Sequence, residues 1–214
     1  PSVESSTYND STVSPMAGAN YQYDGGVYRP SSYIYGAFAN ITYKSKPVVN
    51  NYSMSSAWAM IDKKEGPQLA QTGYAVDKAR QDAVYYFMGI INSDNQYVEY
   101  TTGYGPAIGS THEYRIQADS SGNVYGLIDG TRSWAKTIDW VPNSAQYQGE
   151  IYNTDAQFIG KSALRERINN VRYLQPSGTW VKPSMTSWLK GTYAGLDNAN
   201  YTASGYFDVW DTRY

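Results

Sequence analysis

Cysteine is absent from the chain, and a single histidine, His112, stands among its 214 residues. The first absence removes disulfides, thiolate nucleophiles, Fe–S clusters and zinc fingers together. The second removes His-based zinc sites and leaves one base for any Ser-His-Asp triad. No Gly-x-Ser-x-Gly turn accompanies His112, which reads instead as a packing residue at the start of a strand. Charge is also scarce. Asp, Glu, Lys and Arg make up 17% of the residues and the net charge is −2, against roughly 25% charged residues in an average soluble domain. No run of Lys or Arg exists, so nucleic acid is not an expected partner. No apolar stretch approaches the ~18 residues of a membrane helix, and no membrane partner is expected. A Gly-rich phosphate loop is missing, since Asp24-Gly25-Gly26 has neither the Lys nor a following helix. The inventory therefore predicts a protein without metal or cofactor.

What the chain has in quantity is tyrosine: 23 of them, with aromatics at 15%. That composition excludes long-range disorder and coiled coil. Residues 1–20 are small and polar without period and are expected to form a loose arm; residues 21–214 are expected to form one domain. The chain starts at Pro1 with no visible signal peptide, which reads as a processed or trimmed form. From Tyr21 onward the pattern is β. Short runs rich in aromatic and β-branched residues recur at Tyr33–Tyr43, Ser56–Ile61, Gln68–Val76 and Ala83–Ile91. Glu113–Ala118 and Val124–Ile128 flank a Ser-Gly-Asn turn, and Asp129-Gly130 leads to a further strand. Strands at this spacing predict a two-sheet antiparallel β-sandwich of the concanavalin-like or jelly-roll type. Ser162–Arg167 is the one helix-like stretch.

With thiol, metal and imidazole chemistry removed, carboxylate and amide chemistry remains. A glycosidase needs two carboxyls about 5–10 Å apart, and Glu99, Glu113 and Glu150 lie on β segments. Exposed Tyr and Trp could instead stack on sugar rings in a binding module that does no chemistry.

The stretch from Trp58 to Gly73 reads Trp-Ala-Met-Ile-Asp-Lys-Lys-Glu-Gly-Pro-Gln-Leu-Ala-Gln-Thr-Gly. It resembles the eqolisin family of glutamic peptidases, which carries Trp-x-Gly-Ile-Asp-Gly and then Leu-Gln-Thr-Gly. Gln81–Phe87 is similar to the family's Asp-Ala-Trp-Tyr-Glu-Trp strand, and Gly149-Glu150-Ile151-Tyr152 to its second catalytic strand. Met60 and Lys63 stand where the family has Gly, and Tyr86 where it often has Glu. The missing cysteines point to a bacterial-type member. The resemblance implies Gln71 and Glu150 as the catalytic dyad, Asp62 as an orienting residue, and Trp58 and Tyr86 as groove lining. It implies a secreted, monomeric, acid-acting endopeptidase with a polypeptide substrate.

The chemistry is coherent without the family. An ionised Glu takes a proton from water and later returns it to the leaving amine. A Gln amide cannot titrate but donates hydrogen bonds to the oxyanion. An unperturbed Glu, with its reference pKa near about 4.3, would do this at acid pH. The alternative is an inactive β-sandwich that binds carbohydrate or a protein partner.

Overall fold

The computed structural model describes residues 21–153, 155–190, 196–198 and 205–214. The arm expected over residues 1–20 lies outside the described residues. One sheet has seven strands in the order β13-β1-β10-β3-β4-β5-β6. They are β1 (Tyr21–Tyr28), β3 (Met54–Asp62), β4 (Leu69–Asp77), β5 (Ala83–Ile91), β6 (Tyr97–Thr101), β10 (Ser144–Tyr152) and β13 (Ser187–Lys190). The other sheet has the order β14-β15-β11-β2-β7-β8-β9. Its strands are β2 (Gly36–Thr42), β7 (Thr111–Ala118), β8 (Asn123–Ile128), β9 (Thr131–Thr137), β11 (Glu166–Leu174), β14 (Leu196–Asn198) and β15 (Phe207–Asp211), with β12 (Trp180–Val181) beside β11. Among the described residues the one helical element is the 3-10 turn Lys78–Arg80. The expected two-sheet antiparallel sandwich is what the chain forms.

Turn chemistry sets the hairpins. Asp119 accepts bonds from the backbone N–H groups of Ser121 and Asn123, which closes the β7–β8 turn. Asp129 and Gly130 both have positive φ, 51° and 75°, the mirror-image turn whose twist suits a two-residue hairpin loop. The C-terminal stretch beyond Gln175 extends both sheets: β13 pairs with β1, β15 with β11, and β14 with β15.

Alternate residues of the facing strands fill the space between the sheets. Ala57, Ala59 and Ile61 of β3, Tyr74 and Val76 of β4, and Tyr114 and Ile116 of β7 all lie in that core. The helix-like pattern at Ser162–Arg167 is overridden. Residues 162–165 turn, and Glu166 opens β11, which pairs with β2 and β15. Pairing on two sides outweighs the weak helical preference of six residues.

Candidate functional site

The central strands of the seven-stranded sheet are buried on both faces. A second cluster gathers Trp58, Met60, Leu69, Ala75, Tyr85, Phe87 and Ile91 on the face turned away from the core. Period-two alternation decides who joins it. On β3, Trp58 and Met60 face outward while Ala57, Ala59 and Ile61 face the core. On β4, Leu69 and Ala75 face outward, and Gln71 shares their parity. On β10, Ala145, Tyr147 and Ile151 are core residues, so Glu150 falls on the outer face. β3 lies between the two polar residues, with Ser56 opposite Glu150 and Met60 opposite Gln71.

Gln71 and Glu150 line one small pocket on this face. Its volume is about 60 Å³, room for a few water molecules, since one needs roughly 10–15 Å³ of such space. Ser56, Tyr97 and Glu99 add polar walls; Tyr21, Met54 and Phe87 add apolar ones. Trp58 reaches across to donate its indole Nε1–H to Glu150 Oε2 at 2.7 Å. Burial pushes the Glu150 carboxyl up to about 7. The Trp58 N–H opposes that rise, the charge of Glu99 adds to it, and Ser56 opposes it again. Gln71 Nε2 donates to Tyr97 Oη at 3.4 Å, and Tyr97 Oη donates to Glu99 Oε2 at 2.8 Å.

Asp62 lies at the end of β3 on the same face, buried, but it is not among the residues lining the pocket. Burial raises its pKa to about 6, with Ser144 and Gln146 on β10 opposing the shift. Tyr86 requires correction. It is the wrong parity for the groove: it packs in the inter-sheet core, edge-on to Tyr104 and His112 and tilted against Tyr114. Its neighbours Tyr85 and Phe87 are the β5 aromatics on the outer face. Tyr97 was not anticipated at all, and Glu99 was anticipated only as one of three acids for a glycosidase. The signal was the spacing Tyr97-Val98-Glu99, which puts two polar groups on one face of the β segment that carries Glu99.

His112 stands elsewhere, at the mouth of the other sheet. Its Nδ1 is 2.6 Å from Asp129 Oδ2 and its Nε2 2.9 Å from Ser110 Oγ, the connectivity of a catalytic triad. The Ser110 hydroxyl, however, donates to Ala107 O at 2.6 Å. The amides of Gly109 and Ser110 are bonded to Tyr43 O and Ala107 O, so neither is free to hold an oxyanion. The group clamps the start of β7 to the β8–β9 turn.

No family model matches the chain, and no curated protein matches it in sequence. Among solved structures the chain is similar to scytalido-glutamic peptidase bound to a peptide-based transition-state analogue, with a TM-score of 0.65 and 10% identity over 89% of this chain and 98% of that one. The same peptidase with a transition-state analogue inhibitor gives a TM-score of 0.62 at 11% identity over the same shares. SCP-B, a member of the eqolisin family of peptidases in complex with the tripeptide Ala-Ile-His, gives 0.59 at 10% identity, again over 89% and 98%. The architecture is thus one found in glutamic peptidases, and at this identity the likeness is of fold.

Proposed function

We propose that the chain is a glutamic peptidase of the eqolisin type, a secreted, monomeric endopeptidase acting on polypeptides with Glu150 and Gln71 as its dyad. The observation that carries this is the shared pocket: an ionisable acid and a neutral amide face one water-sized space. Ionised Glu150 takes a proton from a water held there, and the water oxygen attacks the peptide carbonyl. The Gln71 amide N–H holds the oxyanion that forms. Protonated Glu150 then returns the proton to the leaving nitrogen as the C–N bond breaks. Trp58 steadies the carboxylate through its N–H.

The pH range differs from the acid window that an unperturbed Glu implies. With its carboxyl raised to about 7, Glu150 is the free base only near and above neutrality. In this reading kcat/KM rises with pH through an inflection near neutrality. Digestion of an unfolded protein between about pH 3 and pH 8, in wild type, Glu150→Gln and Gln71→Ala, tests the dyad. Glu150→Gln is expected to abolish cleavage, and Gln71→Ala to lower kcat by about 10²–10³-fold. Equal cleavage in all three sinks it.

One observation favours a second reading. Glu99 and Glu150 line the same pocket, and paired carboxyls serve glycoside hydrolysis. Release of reducing sugar from polysaccharides by the wild type, lost in both Glu99→Gln and Glu150→Gln, would support it. A purely carbohydrate-binding role has less support at this face, because Trp58 and Phe87 are buried and cannot stack on a sugar ring.

A further inference from the structure

The register of the sheet places Gln71, Gly89 and Glu99 in one row across β4, β5 and β6. The middle member has no side chain, and Tyr97 occupies the space. A Cβ on residue 89 would sit 2.3 Å from Tyr97 Oη and 2.6 Å from its ring. Only glycine there lets the Tyr97 ring lie across β5 and bring its hydroxyl to the Gln71 amide. The arrangement has a direction. A phenol carries one proton, and Tyr97 spends it on Glu99 Oε2. What Tyr97 presents to Gln71 is then a lone pair, which accepts an N–H and repels an amide oxygen.

From this we infer that Glu99, acting through Tyr97, is a positioning residue that fixes which way the Gln71 amide faces; the inference rests on the dyad proposed above. Glu99 is itself held. The Arg80 guanidinium stands 3.5 Å from its Oε1, donates to Thr101 Oγ1 at 2.9 Å, and lies 4.3 Å over the Tyr85 ring. The charged and titratable groups facing Glu99 are Arg80 from the 3-10 turn, Asp77 from β4, Tyr85 from β5, Tyr97 from β6 and Glu150 from β10. While Glu99 is ionised, the chain of donors runs from Gln71 to Tyr97 to Glu99. Once Glu99 is protonated, its O–H donates to Tyr97 Oη. The Tyr97 proton is then free to point at Gln71, where it favours the amide oxygen. The amide turns, and its nitrogen and oxygen exchange places, which changes the group that it offers to the pocket. Loss of one proton from Glu99 thus sets the donor that holds the oxyanion.

The tests are Glu99→Gln, Tyr97→Phe and the double variant. In Glu99→Gln, Arg80 keeps the amide oxygen and the new NH₂ faces Tyr97, which copies protonated Glu99. Each single variant is expected to lower kcat by roughly tenfold with KM unchanged, a fraction of the ~10²–10³ that removing an oxyanion donor costs. Ionisation of Glu99 is expected to give the wild-type pH profile a second inflection besides that of Glu150, and this one disappears in both variants. The double variant loses no more than either single, because both break one chain. Additive losses, or an unchanged profile in Glu99→Gln, overturn the inference. A second readout needs no turnover: the side-chain amide ¹⁵N and ¹H shifts of Gln71. On the acid side of the Glu150 inflection they are expected to move with pH in wild type and to stay flat in Tyr97→Phe. The same movement in both overturns the relay while leaving the dyad intact; an inactive wild type that still shows it overturns the dyad and leaves the relay.

Discussion

Two buried glutamates share this molecule in different surroundings. Glu150 sits under the outer face of the seven-stranded sheet, and Glu166 sits between the sheets. Burial raises both, to about 7 and about 8. Each has a neutral donor: the Trp58 indole for Glu150, and the Tyr74 hydroxyl at 3.0 Å for Glu166, which also accepts the Lys44 backbone N–H at 3.2 Å. On pKa alone Glu166 is the more perturbed group. Yet it is walled in by core tyrosines, with Tyr43 and Tyr74 ring to ring at 5.0 Å, whereas Glu150 opens on a pocket with an amide across it. A displaced pKa marks burial; a reactive site needs, in addition, space for a reactant and a partner facing it.

The widest gap between the two is expected in turnover. Glu150→Gln is expected to cost at least about 10³-fold in kcat/KM, and Glu166→Gln less than about threefold. Peptide cleavage by the two variants, each checked for a cooperative unfolding transition, measures this; comparable losses would erase the distinction.

Next in size is the dependence of stability on pH. Both groups have folded pKa values above the ordinary 4.5 of Glu, so the folded state keeps protons that the unfolded chain releases. Their contribution is fully present below about 4.5 and is lost as pH rises, through about 7 for Glu150 and about 8 for Glu166. The unfolding temperature of the wild type is expected to fall across that range. Glu166→Gln flattens the fall up to about 8, and Glu150→Gln only up to about 7. A wild-type slope retained in Glu166→Gln would show that the core acid is solvated after all.

Trp58→Phe removes the donor that holds the Glu150 carboxyl down. Its pKa is expected to rise, so the inflection of kcat/KM moves to higher pH and activity below it falls by roughly tenfold. Because the substitution also opens space in the outer cluster, the position of the inflection is the informative readout. An unmoved inflection separates the indole from the acid. The smallest effect is expected from Tyr86→Phe. Its hydroxyl faces the core and the His112 end, so KM is expected to stay within about twofold. A several-fold rise in KM would return Tyr86 to the groove.

Local residue patterns carried much of the fold. β5 begins and ends at Ala83 and Ile91 as its aromatic and β-branched run predicts, and the Asp129-Gly130 turn lies where its φ preferences put it. Strands β3 and β4 were legible as short apolar runs but not as alternating ones, because each is buried on both faces and so hides its parity. The resemblance alone put Tyr86 in the groove, and β5, buried on both faces from Tyr85 on, hides in its own pattern that Tyr85 and Phe87 are the outward residues. β6 is legible only as a β segment around Glu99, without bounds, because Tyr97–Thr101 is too polar to mark the ends of a strand that pairing with β5 stabilises.

By itself the sequence determined the chemistry available: no thiol, one imidazole, and so acids and amides working within β-structure. Its resemblance to the eqolisin family singled out Gln71 and Glu150, which the fold brings to one pocket. Which side chains share a face, and therefore that Tyr97 and Glu99 stand behind Gln71 while Glu166 is shut inside the core, was decided by tertiary structure alone. The reason is that strand register is a long-range property. A shift of one residue sends every side chain of a strand to the opposite face, and only pairing with strands distant in the chain fixes it.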